Sequence, residues 1–224
     1  MTILEKERSE NARSYAVRVL LYNIVHLELT PGSSVSENEL SSALSLSRTP
    51  VREALIELNR IGLVEIIPQK GSYVSKIDYD IVEESRFLRL VMENAVLKLA
   101  CDGIDQSYLD ALQQNIQLQR QCSETKDNDR MLELDNEFHQ LIFQSVNKMW
   151  SYHIIREQMV HFDRLRALSA KKGHLDYVIS DHEDILYALK RHDAEMAEML
   201  MTRHLARHRT ERKELTEAYP EYFC

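Results

Sequence analysis

The residues best suited to do chemistry are one aspartate and three histidines on three separate segments. Asp135 and His139 stand four apart in Met131-Leu132-Glu133-Leu134-Asp135-Asn136-Glu137-Phe138-His139. On a helix they share a row with Met131, Ile142 and Val146. That row is apolar at both ends, so it points inward. His182 shares a row with Ile179, Leu186 and Leu189, and His204 shares one with Ala197, Leu200 and Met201. A buried carboxylate is costly unless it is paired or meets a cation. One carboxylate and three imidazoles suit a divalent transition metal, zinc first, with nickel or manganese as alternatives. Any one of these histidines taken alone fits a satisfied core position as well as it fits a ligand. His26, His153, His161, His174 and His192 read as non-ligands, while His208, one turn past His204, competes for the role.

A second group is basic. In Ser47-Arg48-Thr49-Pro50-Val51-Arg52-Glu53-Ala54-Leu55, the apolar Val51, Leu55 and Leu58 fall at i, i+4 and i+7. Arg48 and Arg52 lie four apart on another face. Short polar and basic side chains at the start of a helix, with an apolar stripe behind them, are what a DNA recognition helix needs. Arginine can grip a guanine edge or a phosphate there, and the helix N-terminus adds N–H groups for a phosphate. Lys70-Gly71 reads as a turn that reaches the minor groove. The same arginines on a solvated face are the plainer reading.

These residues need elements to hold them. Residues 9–28 read as an amphipathic helix ended by Pro31-Gly32. Ser36 with Glu39 forms a capping box for a short helix to Leu44. Ser47 can cap a third helix running to about Ile61, with Pro50 tolerated in its first turn. The period then changes: Leu63–Ile67 and Ser72–Ser75 read as two strands around Pro68-Gln69-Lys70-Gly71. Helix, helix, helix, hairpin is the order of a winged helix-turn-helix. From Asp80 to about Glu217 the pattern is helical, with breaks near Gly103, Lys126, Lys148 and Gly173 and six helices expected. The fold class is therefore mainly α, a winged helix-turn-helix in residues 1–77 followed by an all-helical antiparallel bundle in residues 78–224.

Composition bounds the setting. The chain has 224 residues with only five glycines and four prolines, which favours long helices. Its net charge of −8 sits entirely after residue 77, because residues 1–77 hold nine Lys/Arg and nine Asp/Glu. The neutral first part tolerates DNA and the acidic second part repels it. The three cysteines are too widely spaced for a disulfide framework or a C-x-x-C knuckle. No apolar run approaches the roughly 20 residues of a bilayer span, and the first residues lack the apolar core of a signal peptide. A cytoplasmic protein with no membrane partner is expected.

Four separated pieces then carry a resemblance. Pro31-Gly32, Ser47–Leu55, Gly62-Leu63-Val64 and Lys70-Gly71-Ser72-Tyr73-Val74 resemble the DNA-binding domain of the GntR family of bacterial regulators. That resemblance implies DNA contacts at Ser47, Arg48, Thr49 and Arg52, and at Gly71 in the wing. Asn38 stands where many members have arginine, and Ser45 where glycine is usual. Residues 80–216 resemble the helical FCD sensor domain of the FadR branch, through Arg89-x-x-Met92-Glu93, Asp135-x-x-Phe138-His139, Asp181-His182-x-x-Ile185-Leu186 and Arg203-His204-Leu205. It implies metal ligation by Asp135, His139, His182 and His204, and a small organic acid as effector. Arg89 is the candidate to hold the effector, against an ordinary surface pair with Glu93; Arg164 and Arg166 are further options.

The resulting expectation is a ligand-responsive transcription regulator, not an enzyme, that binds a palindromic double-stranded operator as a homodimer. Two alternatives stand beside it. A metal-dependent hydrolase could use the same Asp/His site, although Glu137 and Glu183, next to the ligands in sequence, point about 100° away on a helix. A metal-free regulator could bind its ligand directly through those polar residues.

Overall fold

The computed structural model describes residues 1–173 and 176–224. The chain divides into two compact units, Met1–Tyr79 with Thr216–Cys224, and Asp80–Leu215.

In the first unit, α1 (Ala12–Val25) opens at Asn11, whose side chain accepts from Ser14 N at 2.9 Å. It buries Tyr15, Ala16, Val19, Leu20, Asn23 and Ile24. The expected capping box starts α2 (Glu37–Leu44), with the Ser36 hydroxyl accepting from Glu39 N at 3.5 Å. Ser45 takes the turn at φ 54°, a left-handed conformation that costs a non-glycine residue about 1–2 kcal/mol. α3 (Arg48–Arg60) buries Val51, Ala54, Leu55 and Leu58 and packs on α1 and α2. Its other face stays in solvent. The wing is β2 (Val64–Ile67) paired antiparallel with β3 (Gly71–Val74), Val64 opposite Val74 and Ile67 opposite Gly71. Gln69 at φ 63° and Gly71 at φ 120° make its tip. A third strand, β1 (Ser34–Val35), pairs with β3 on the side away from β2. Two residues are too few to show an alternating pattern, so the sequence gives no sign of it.

The last nine residues belong to this unit as well, although the sequence reading leaves everything after residue 77 in the helical domain. Ile77 bridges to Phe223 in parallel. Ile77 N donates to Tyr222 O at 2.7 Å, and Cys224 N donates to Ile77 O at 3.2 Å. The Phe223 ring stacks on Tyr79 with centroids 5.2 Å apart.

Eight helices follow among the described residues, where six were expected. They are α4 (Tyr79–Gly103), α5 (Gln106–Thr125), α6 (Asn128–Ser145), α7 (Met149–Gln158), α8 (Val160–Lys171), α9 (Asp176–Lys190), α10 (Ala194–Ala206) and α11 (His208–Ala218). α5 with α6, and α9 with α10, are antiparallel pairs joined by short loops, and α5 also packs on α9. The expected breaks are present. Three further breaks, at Met159, at residues 191–193 and at Arg207, were not among those expected; Met159 and Arg207 keep right-handed helical dihedrals and His192 takes the second turn at φ 56°, so no glycine or proline marks any of them. Leu97, Leu112, Ile116, Phe138, Ile142, Leu189 and Met201 form the centre of one apolar cluster, each contributing about 1.5–3 kcal/mol on burial. No helix among the described residues is long and apolar enough to cross a membrane.

Candidate metal centre and nucleic-acid interface

α6 supplies Asp135 and His139, α9 supplies His182, and α10 supplies His204. One donor atom from each falls within 4.8 Å of all the others, and all four residues are buried. His182 Nε2 lies 3.6 Å from Asp135 Oδ1, and His139 Nε2 lies 3.9 Å from Asp135 Oδ2. The apolar rows read from the sequence orient them: Met131, Ile142, Ile179, Leu186, Leu200 and Met201 are all buried. Phe138 stacks on the His182 ring at 3.9 Å and fixes its plane.

His182 has a hydrogen-bonded outer partner, and His139 and His204 each turn Nδ1 toward a carboxylate without forming a full hydrogen bond. His182 Nδ1 meets Gln119 Oε1 at 2.9 Å, and Gln119 in turn donates to Asn115 Oδ1 at 2.6 Å. His139 Nδ1 faces Glu93 Oε1 at 2.9 Å, which Arg89 Nε also reaches at 3.0 Å. His204 Nδ1 faces Asp181 Oδ2 at 3.4 Å, and Asp181 is held by Arg203 and Arg207. Outer partners of this kind set the tautomer and turn the opposite nitrogen toward a metal. The Nε2 atoms of His139 and His182 are buried with no hydrogen-bond partner, a state that costs about 1–3 kcal/mol per atom. Burial, helped by the Arg89 charge, holds His139 down at about 4. Burial and the neighbouring His204 hold His182 well below the usual imidazole value. Burial raises Asp135, but Arg166 and the imidazoles outweigh it and keep the carboxyl below the usual range. Glu93 likewise falls to about 2, because His139 and Arg89 outweigh its burial. Two imidazoles held neutral with orphaned Nε2 lone pairs, together with His204 and one anionic carboxylate, fit a divalent cation.

Beside this cluster lies a pocket of about 560 Å³, part of it open to solvent. Arg89, Asp135, Arg166 and His204 line it. The Arg89–Glu93 pair exists, but it is buried rather than on the surface, and Arg89 Nη2 also comes within 4.0 Å of Asp135 Oδ2. Arg166 hydrogen-bonds Asp135 directly and reaches Asn136 and Asp163 at 2.9 and 2.7 Å. Arg166 shares no helical motif with the ligands, so the sequence offers it only as a further option; the packing of α8 on α6 brings it there. Arg164 is fully buried and is not part of the pocket wall. His208 lines the pocket but lies outside the four-residue cluster, bonded to Leu205 O and Glu83. His192 Nδ1 is engaged by Cys101 O at 2.8 Å, and His26 stacks on Tyr22. His153 and His161 also lie outside the cluster, and His174 lies outside the described residues. Glu137 and Glu183 pair instead with Arg130 and Arg120. The outer partners Glu93, Gln119 and Asp181 were not anticipated; the adjacency of Asp181 to His182 was the one available hint.

On the first unit, Ser47, Arg48, Thr49 and Arg52 are exposed at the start of α3, and Lys70 and Gly71 are exposed on the wing. Ser47 holds the N-cap position with extended backbone, yet its side chain makes no capping hydrogen bond, unlike the expected cap. The Arg52 guanidinium clasps Glu37 of α2 with Nη2 at 2.9 Å and Nε at 3.0 Å, and this hydrogen bonding holds the Glu37 carboxyl below its ordinary value. Fifteen residues separate the pair, so no local spacing rule reveals it.

Comparison with known proteins falls on both units. Residues 84–207 match the FCD domain, and residues 15–74 match the bacterial regulatory proteins of the gntR family. The HTH-type transcriptional repressor RspR of Escherichia coli strain K12 is 38% identical over 191 residues, covering 84% of this chain and 83% of its own. An uncharacterized HTH-type regulator from an unstable DNA locus of Streptomyces ambofaciens is 33% identical over 183 residues, 81% and 77% of the two chains. Among solved structures, E. coli McbR/YncC superposes with a TM-score of 0.76 at 20% identity, covering 94% of this chain and 99% of its own. A putative GntR regulator from Rhodococcus sp. RHA1 gives 0.72 at 21% identity, with coverage of 92% and 98%.

Proposed function

The chain belongs to the gntR family of bacterial regulatory proteins and carries an FCD domain, and on that premise we propose a repressor that senses a small carboxylate beside a divalent metal. It is a DNA-binding transcription regulator with a ligand-sensing domain. Its finer chemistry is our reading. Ser47, Arg48, Thr49 and Arg52 approach the major groove, with Lys70 and Gly71 at the adjacent minor groove. Asp135, His139, His182 and His204 hold the ion, zinc first. A bound divalent ion supplies a Lewis-acidic position for one carboxylate oxygen. Arg89, the residue singled out from sequence, and Arg166 offer guanidinium forks for the other oxygen. The observation that carries this reading is that both arginines and two of the four cluster residues line a single pocket.

A homodimer on a palindromic operator completes the reading. One winged helix makes few contacts, and two on matched half-sites multiply them. α4 supports it, with Ile81, Leu88, Val91, Ala95 and Leu99 recurring along one exposed row. Repression follows the name of the RspR relative. The hydrolase alternative gains no support, since the relatives are regulators and Glu137 and Glu183 pair away from the cluster.

Effector binding favours one of two arrangements of the dimer, and the operator favours the other. Coupling of about 1–3 kcal/mol changes operator affinity roughly 5–150-fold, and the operator changes effector affinity by the same factor. The test is operator titration with and without a carboxylate found by thermal-shift screening, on metal-loaded wild type and on His182→Ala. A weakened complex in wild type and an unresponsive variant are expected. A carboxylate that binds yet leaves operator affinity unchanged overturns the sensing mechanism.

A further inference from the structure

Glu211 stands apart from everything used so far. It lies on α11, is buried, lines the same pocket as Arg89 and Arg166, and is not one of the four cluster residues. Its two oxygens are engaged from two other helices, Oε2 by the Ser169 hydroxyl of α8 and Oε1 by the Tyr177 hydroxyl of α9. Burial and the Glu211 carboxylate push the Tyr177 phenol above its ordinary range, so it stays protonated and donates. A carboxylate has about four acceptor positions. Two are filled, and each oxygen keeps one.

The pocket therefore has two chemically opposite regions. Arg166 and Ser169 are three residues apart on α8, roughly 4.5 Å along its axis. Near Arg166 the wall is cationic; about one turn away, at Ser169, it presents an anionic acceptor. A second carboxylate on the ligand would meet Glu211, and a buried like-charge contact is a strong means of rejection. An apolar tail would leave the remaining acceptor positions desolvated and unpaired. The Arg207 guanidinium, which sits 4.7 Å over the Tyr177 ring and also lines the pocket, is committed to both oxygens of Asp181, so it does not offset the charge of Glu211. A neutral hydroxyl satisfies all these neighbours.

We propose that Glu211 is a specificity-determining residue that accepts hydrogen bonds from hydroxyl groups on the far carbons of the effector, which makes the effector a hydroxylated monocarboxylate. The inference rests on the reading that the effector's carboxylate sits at Arg89 and Arg166. Ser169 and Tyr177 position the Glu211 carboxylate, and His208, one turn before it on the same helix, holds that stretch of α11 to Glu83 of α4.

The experiment is calorimetric titration of the full-length, zinc-loaded protein with four- and six-carbon acids that are unsubstituted or carry an ω-hydroxyl, ω-amino or ω-carboxyl group. The ω-hydroxy acid is expected to bind at least about tenfold more tightly than the matched dicarboxylate. Glu211→Gln, which keeps size and removes charge, brings the two within about threefold. Tyr177→Phe, which leaves the carboxylate and opens one more acceptor position, keeps or raises the hydroxyl preference and serves if Glu211→Gln does not fold. A dicarboxylate that binds wild type as tightly as the hydroxy acid overturns the proposal. So does a preference unchanged in Glu211→Gln, which marks Glu211 as a tether between helices only, or an ω-amino acid that binds tightest. If every acid binds and none is discriminated, the carboxylate reading stands and this inference falls; if none binds, both fall.

Discussion

Removing one ligand should abolish the link between metal and stability, and the size of that link can be worked out. In His139→Ala the cluster loses one of three imidazoles, and Glu93, already buried, loses the ring that faces it at 2.9 Å. A ligand that binds only the folded state stabilises it by about 2.7 kcal/mol at a free concentration 100 times Kd. For a domain of this size, about 3 °C of Tm corresponds to each kcal/mol, so zinc at that concentration raises the wild-type Tm by roughly 8 °C. His139→Ala should melt lower than wild type at any zinc concentration and show almost no zinc-dependent shift. Gln119→Leu gives a graded version. It removes the acceptor that orients His182 while leaving all four ligands, and the loss of such an outer partner weakens metal binding roughly 10–100-fold. The assay is differential scanning calorimetry of chelator-treated protein across a zinc titration, with bound metal measured after gel filtration. Equal zinc shifts and equal metal content in wild type and His139→Ala would refute the reasoning and move the site elsewhere.

Three further outcomes are expected. Arg48→Ala and Arg52→Ala should each weaken operator binding roughly 5–150-fold if they reach bases, with acid binding to the second unit unchanged; wild-type operator affinity in both would remove α3 from the groove. Val91→Asp should convert a dimer to a monomer by light scattering at micromolar concentration, because it puts a charge in the middle of the exposed apolar row of α4; a dimer that survives puts the interface elsewhere. Glu83 is held below its ordinary value chiefly by hydrogen bonding to Arg209, with His208 and Arg86 helping against its partial burial. Its contribution to stability is therefore full above the ordinary glutamate value and is lost as pH falls below it. Urea midpoints measured from pH 6 down to about pH 3 should fall more steeply in wild type than in Glu83→Gln, and parallel curves would contradict the assignment.

The legible features were the local ones. The apolar rows of α6, α9 and α10 brought Asp135, His139, His182 and His204 to inner faces, because a helical period says which way a side chain points. The Ser36 cap, the strain at Ser45 and the stripe of Val51, Leu55 and Leu58 were legible for the same reason. The missed features depend on packing between distant segments. Gln119 and His182 are 63 residues apart, and Asp135 and Arg166 are 31 apart; nothing in either neighbourhood announces its partner. Arg89 shows both sides. Its pair with Glu93 follows from a spacing of four, but the burial that turns a surface ion pair into a pocket wall does not. The break at Met159 was illegible because it scarcely bends the backbone out of helical dihedrals.

The return of residues 216–224 to Ile77 and Tyr79 makes the sensor an insertion within the reader rather than a domain appended to it. The chain leaves the first unit after residue 79 and re-enters it at 216, so the two units share two covalent junctions. A fragment that stops at residue 79 lacks the backbone partner of Ile77 and the ring against Tyr79, and it is not the same folded object as the unit in the whole protein. Grafting this sensor onto another winged helix has to carry both junctions, because α11 begins with His208 and Glu211 at the pocket and its last residues already belong to the reader.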